Sequence, residues 1–299
     1  MAVVLESLAT LSVLVFVVTS MLSMGLSLTV SQILDPLRNA SLVAKALAAN
    51  FVVIPIVAYV LVFVFPLSEG QSIGIILLAT AAGAPFLPKL VEVAKGNIAF
   101  GVGLMVLLMV VTVVYVPLVL PLLLPGVQVN PLDIASSLVV LMLIPLAIGL
   151  VVKDRYESIA TSVEPVMSQT STTALVFLTV LMLVLNFDNL VSVVGTGVIL
   201  ALFVFVAVSF AVGYVLGGPV ADNKSVMGLG TGQRNISAAL VVAAQNFQDP
   251  DVVTILLVGA LVMLVVLMAA GGELGRRSEV PSETSSLTGE RGDQQVTPE

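Results

Sequence analysis

The sequence predicts an all-α polytopic membrane protein with nine transmembrane helices, and three observations predict it. The 299-residue chain is 59% hydrophobic and only 10% charged, where a soluble domain is roughly a quarter charged. Its mean hydropathy is +1.17, and apolar runs long enough to span a bilayer recur almost throughout. Alternating polar-apolar strands of about ten residues are absent, which excludes an outer-membrane barrel.

The spans follow in order. The first, near 4–28, carries Glu6 and has neither a basic n-region nor a small-residue cleavage site, so no removable signal peptide is expected. Asp35-Pro36 separates it from 40–64, and Pro66 to Gly70 separates that from 71–93. This third span is interrupted at Gly83-Ala84-Pro85-Phe86-Leu87-Pro88. The fourth, 97–125, closes at Pro125-Gly126, and the fifth, 131–152, opens at Asn130-Pro131. Glu164 and Pro165 read as a helix start. The sixth span, 168–187, then opens with Gln169, Ser171, Thr172 and Thr173, suited to interhelical hydrogen bonds or to a cavity lining. The seventh, 190–217, ends at Gly217-Gly218-Pro219. The eighth, 223–246, is interrupted at Gly228-Leu229-Gly230-Thr231-Gly232-Gln233, and Asp249-Pro250 opens the ninth, 251–271. Beyond Gly272 the composition turns to Ser, Thr, Glu and Pro, so 273–299 reads as a disordered tail behind a transmembrane domain of 1–272.

Charge orients the array. Alternate joins hold Arg38 and Lys45, Lys95, Lys153 and Arg155, Lys224, then Arg276 and Arg277, whereas the opposite joins hold only Glu69, Asp133, Asp188, Asp249 and Asp251. The positive-inside rule puts the N-terminus outside and the tail in the cytoplasm, as expected of a multi-pass plasma (inner) membrane protein. Two cations escape this pattern, Lys89 and Arg234, each at an interruption of an apolar segment. A charge at membrane depth costs several kcal/mol and persists with a partner or a function. Arg234 stands ten residues from Lys224 and eleven from Gln245, about 15 Å from either end. Lys89 is six residues from Lys95, close enough to snorkel to the surface or to pair with Glu92 one turn on.

The interruptions also reveal symmetry. Spans one to four and six to nine form groups 1–127 and 165–272, which enter the bilayer from opposite sides, with helix 131–152 linking them. In each group the third span is the broken one. Paired broken helices in inverted halves mark the binding site of a secondary transporter. A break frees backbone groups that need partners, and the half-helix restarting after it offers N–H groups to an anion. Lys89, Thr231, Gly232, Gln233, Arg234, Asn235 and Ser237 are therefore the candidate substrate- or ion-binding residues, with Asn235 and Ser237 equally suited to satisfying the broken backbone.

Other classes fit poorly. The chain has no cysteine and no histidine, which removes disulfides, thiolate or imidazole metal sites and histidine-based catalysis. There is no serine with a base and no aspartate-rich pair, so no enzyme is expected. The Gly228-x-Gly-x-Gly232 run lacks the preceding strand that a nucleotide loop needs. No nucleic-acid partner and no cofactor are expected, and the eleven methionines read as packing.

Three stretches carry a family resemblance. Met24-Gly-Leu-Ser-Leu-Thr29 is similar to an early Met-Gly-Leu-Thr-Leu motif, and Ala94-Lys-Gly-Asn-Ile-Ala99 to an Ala-(Lys/Arg)-Gly-(Asn/Asp)-x-Ala motif. Thr231-Gly-Gln-Arg-Asn235 takes the place of Glu-x-Gly-x-Gln-Asn. Over residues 15–270 the chain resembles the bile acid:sodium symporter (BASS) family. The resemblance implies a panel of helices one, five and six facing a core with two crossing, discontinuous helices, three and eight. It also implies an organic anion bound between panel and core and carried by alternating access. Typical members bind sodium through a Ser-Asn pair, hydroxyls on the next helix, and Glu and Gln in the second crossover. Here those places read Leu87-Pro88, Gly101 and Met105, and Gly230 and Arg234. The expectation is that Arg234, with or without Lys89, supplies the positive charge that sodium supplies elsewhere, and Lys89, able to lose its proton, is a candidate carrier of a coupling proton. The alternatives are a sodium symporter with a site remodelled from backbone carbonyls, Thr231 and Asn235, and a non-transporting receptor.

Overall fold

A computed structural model describes residues 2–34, 38–124, 130–185 and 197–279. Twelve helices are seen in these segments and no strand. They are α1 (Ala2–Ser27), α2 (Val30–Leu34), α3 (Ala40–Val64), α4 (Glu69–Thr80), α5 (Leu87–Val93) and α6 (Ile98–Leu123), followed by α7 (Pro131–Arg155), α8 (Glu157–Leu185), α9 (Val198–Leu216), α10 (Ala221–Gly232), α11 (Ile236–Asn246) and α12 (Pro250–Glu279). Six of them, α1, α3, α6, α7, α9 and α12, are long and apolar enough to cross a membrane. The outer faces carry bare hydrocarbon, with Phe63 89% and Leu122 77% exposed, as a surface solvated by lipid chains allows.

Local chemistry sets the helix ends. Ser68 and Gln71 form a reciprocal capping box at the start of α4. Asn97, Asn130 and Asn235 cap α6, α7 and α11 through their side-chain oxygens. Both α3 and α7 contain a π turn, Ala49–Val53 and Val139–Leu143, each just before a proline, Pro55 and Pro145. A proline cannot donate to the carbonyl four residues back, and widening the turn relieves the ring's clash with it. In α3 the deprived carbonyl, that of Phe51, instead accepts a hydrogen bond from Tyr115 Oη of α6 at 2.7 Å.

The third and eighth expected spans are indeed interrupted. After α4 the chain leaves helical geometry at Ala81 and stays irregular through Ala84 before α5 begins, and α10 and α11 are separated by residues 233–235. Gly83 has φ +80°, and a Cβ there would overlap the Met109 amide on α6. Thr112 Oγ1 holds the same stretch, donating to Ala82 O at 3.0 Å and accepting from Ala82 N at 2.9 Å. Elsewhere, α1 meets α7 backbone to backbone at Gly25 and Gly149, where a Cβ on either would overlap the opposite helix.

The sixth span begins earlier than expected. Glu164 and Pro165 do not start it: α8 starts at Glu157, directly after Tyr156, and Pro165 lies in its interior. A Glu-Pro pair suits a first turn, yet Lys153 pairs with Glu157 at 3.1 Å and starts the helix a full two turns sooner. The last helix also continues to Glu279, past the expected end at 271 and into the stretch expected as tail, with Glu273 bonded to Arg276 and Arg277 in its final turns. The remainder of the expected tail, 280–299, and residues 186–196, where the seventh span was expected to begin, lie outside the described residues.

Candidate functional site

The two breaks meet. Asn235 N donates to Ala81 O at 2.9 Å, and Asn235 Nδ2 to Gly83 O at 2.8 Å. The same side chain caps α11, its Oδ1 accepting from Ala238 N at 3.0 Å. One residue thus ends the second interruption and ties it to the first.

Arg234 completes the junction. It is fully buried, and its guanidinium makes four hydrogen bonds, Nε to Leu78 O, Nη2 to Ala79 O, and Nη1 to both Thr231 O and Asn50 Oδ1. Leu78 and Ala79 belong to the last turn of α4, and Thr231 to the last turn of α10. Helix C-termini carry partial negative charge on their free carbonyls. The cation therefore sits where two such ends converge, and no carboxylate is among its described partners. Asn50 is presented by the π turn of α3 and is itself held, its Nδ2 donating to Ala46 O and to Thr231 Oγ1.

A cavity of about 710 Å³ opens beside this junction. Its wall includes Gln233, Arg234 and Ser237 from the second break, Lys89 from α5, and polar residues of α1 and α8 such as Ser23 and Glu164. Arg234 borders it while exposing no surface of its own. Two buried polar atoms here have no hydrogen-bond partner, Gln233 Oε1 and Ser237 Oγ. Ser237 lies in the first turn of α11, an 11-residue helix whose positive end adjoins the cavity.

The expected site residues thus divide. Gln233, Arg234, Ser237 and Lys89 border the cavity. Thr231 turns its hydroxyl to Asn50, Asn235 is used up in capping and bridging, and Gly232 is tight against Leu267 and Phe210. Lys89 is set at the rim, paired with Glu92 at 2.9 Å with both side chains 58% exposed. Three residues of the neighbourhood escaped the sequence analysis: Asn50, Thr112 and, as a cavity residue, Glu164. A buried asparagine inside a 25-residue apolar span is a signal for the first.

Sodium does not fit the places the resemblance assigns to its ligands. Around Gly230 the nearest side chains are those of Leu104 and Leu87, and Gly101 abuts Val91. Met105 is buried. A hard cation takes several oxygens, and these places offer hydrocarbon, while the nearby carbonyls already bind the guanidinium.

A model of the sodium bile acid symporter family matches residues 13–193, more than half of the chain. Among curated proteins the chain is similar to the probable sodium/metabolite cotransporter BASS1, chloroplastic, of Oryza sativa subsp. japonica, 24% identical over 77% of this chain and 58% of that protein. It is 26% identical to the probable sodium/metabolite cotransporter BASS5, chloroplastic, of Oryza sativa subsp. indica, over 77% of this chain and 61% of the relative. The BASS1 counterpart of Arabidopsis thaliana is 26% identical, with 77% and 58% covered. The chain spans about three-fifths of the length of these relatives.

Proposed function

Because the chain belongs to the sodium bile acid symporter family, we propose that it is a secondary transporter of a small organic anion. Membership of this family places it among transporters rather than enzymes, and its helices make it a multi-pass membrane protein. Transport proceeds by alternating access, with α1, α7 and α8 as the panel and the two broken helices at the centre of the core. The transmembrane domain comprises 1–272 in nine spans, with inverted repeats 1–127 and 165–272 joined by helix 131–152. Its N-terminus is outside the plasma (inner) membrane and its tail, 273–299, in the cytoplasm.

The observation that carries this reading is the junction itself. The permanent charge of Arg234 sits on two helix C-termini, and the N-terminus of α11 with the unpartnered Ser237 Oγ borders the cavity next to it. Buried polar atoms without partners cost stability, and an anion seated there gives the Ser237 hydroxyl an acceptor. The cationic junction and helix end favour that charge. Arg234 takes the electrostatic part of sodium, and anion binding needs no sodium.

The relatives' names, sodium/metabolite cotransporters, favour a second reading, a sodium symporter with a remodelled ion site. Thermal stabilisation of the purified protein by a panel of carboxylates and sulfonates, with sodium or choline as the cation, separates the two. Equal stabilisation in both salts is expected. Stabilisation in sodium alone overturns the sodium-free reading, and none in either salt overturns anion binding.

A further inference from the structure

Among the residues lining the cavity there is one carboxylate, Glu164, and the sodium-free reading gives it no part. It projects from α8 and accepts a hydrogen bond from Ser23 Oγ of α1 at 2.9 Å. An anionic side chain in the cavity of an anion transporter opposes the substrate by like-charge repulsion. A single proton removes that repulsion and turns the group into a donor. Proton and anion therefore bind cooperatively, and the effect is reciprocal.

The surroundings isolate this group. On α1 no charged residue follows Glu6, and on α12 none lies between Asp251 and Glu273. The charges of α7 are Asp133 at its start and Lys153, Asp154 and Arg155 at its end, where Lys153 is taken by Glu157 of α8. Across the cavity, Lys89 is paired with Glu92, and Arg234 is committed to carbonyls and Asn50. Neither cation neutralises Glu164 through a described contact. A guanidinium does not release its proton, and the chain has no histidine.

Resting on the anion-transport reading above, we propose that Glu164 is the proton-coupling group of this transporter. The carboxylate takes one proton from the side where the anion enters, the loaded cavity reorients, and anion and proton leave together on the far side. Each cycle moves one proton with each negative charge. The coupling proton that the sequence offered to Lys89 belongs at Glu164.

Methanesulfonate and benzenesulfonate serve as probes, because both stay fully ionised from pH 5.5 to 7.5 and any pH dependence then comes from the protein. For the purified full chain in sodium-free buffer, the apparent Kd should weaken by up to about tenfold per pH unit once the carboxyl ionises, since only the protonated fraction is competent. Weakly buffered wild-type protein with a pH indicator should take up close to one proton per anion bound, a measurement that needs no variant. Glu164→Gln should bind with a flat pH profile at the wild-type low-pH affinity. Ser23→Ala, which keeps the carboxyl, should retain the slope. Binding by wild type without proton uptake, or an unchanged slope in Glu164→Gln, overturns the proposal. If Glu164→Gln loses only taurine, a sulfonate bearing an ammonium group, Glu164 recognises a substrate cation and proton coupling is refuted. No response to any sulfonate at any pH overturns the anion-transport reading, and this proposal with it.

Discussion

Replacing Arg234 with glutamine tests the junction most directly. The guanidinium gives hydrogen bonds to Leu78 O, Ala79 O, Thr231 O and Asn50 Oδ1. A glutamine is shorter and has two N–H groups, so at least two of these acceptors lose their donor. Each buried acceptor left bare costs about 1–3 kcal/mol, so Arg234→Gln should lose about 2–6 kcal/mol in sodium-free buffer. The vacated oxygens, with the new amide oxygen, then make a set of hard ligands suited to sodium. At a concentration a hundred times its Kd, a bound cation restores about 2.7 kcal/mol. Thermal unfolding in sodium chloride and in choline chloride of equal ionic strength reads both effects. Wild type should be indifferent to the salt, and the variant should melt low in choline and recover in sodium. A variant that melts like wild type in choline would show that the guanidinium does not hold these carbonyls. A loss that sodium does not restore refutes the idea that Arg234 stands in an ion's place.

Three further outcomes are expected. Thr112→Val removes both bonds to the Ala82 backbone and should cost about 2–4 kcal/mol, seen as a lower melting temperature with little change in shape of the helical circular dichroism. Tyr115→Phe strips Phe51 O of the donor that Pro55 cannot supply and should cost about 1–3 kcal/mol, partly recovered by Pro55→Ala in the same protein. Lys89→Ala breaks a solvent-exposed pair and should change stability by less than about 1 kcal/mol; a larger loss in the melting curve means that Lys89 supports the break itself.

The broken helices were legible because their cause is local. Pro85 and Pro88 forbid a continuous α4–α5, and the glycines before Arg234 permit the second gap. The rotation of each helix about its axis was not legible, and rotation decides which residue meets the cavity. Thr231 and Gly232 adjoin Gln233 in sequence, yet one bonds Asn50 and the other packs on Leu267. Asn50 reaches Arg234 only because a π turn shifts the register of α3 ahead of Pro55, a consequence of tertiary packing that spacing does not encode. Glu164 was misjudged for the opposite reason. Its neighbour Pro165 matches a helix start so well that the local signal masked a position inside α8.

A dissociable ion at the meeting point of two broken helices can come and go with each transport cycle, loosening and tightening the junction as it does. A cation carried on the chain cannot leave. Arg234 therefore works as a permanent rivet through α4, α10 and the π turn of α3. These three segments should travel as one body whatever the ionic composition on either side. On the proposed sodium-free reading, a charge that never unbinds leaves a salt gradient nothing to act on at this junction, and the coupling step is expected at Glu164 on the cavity wall.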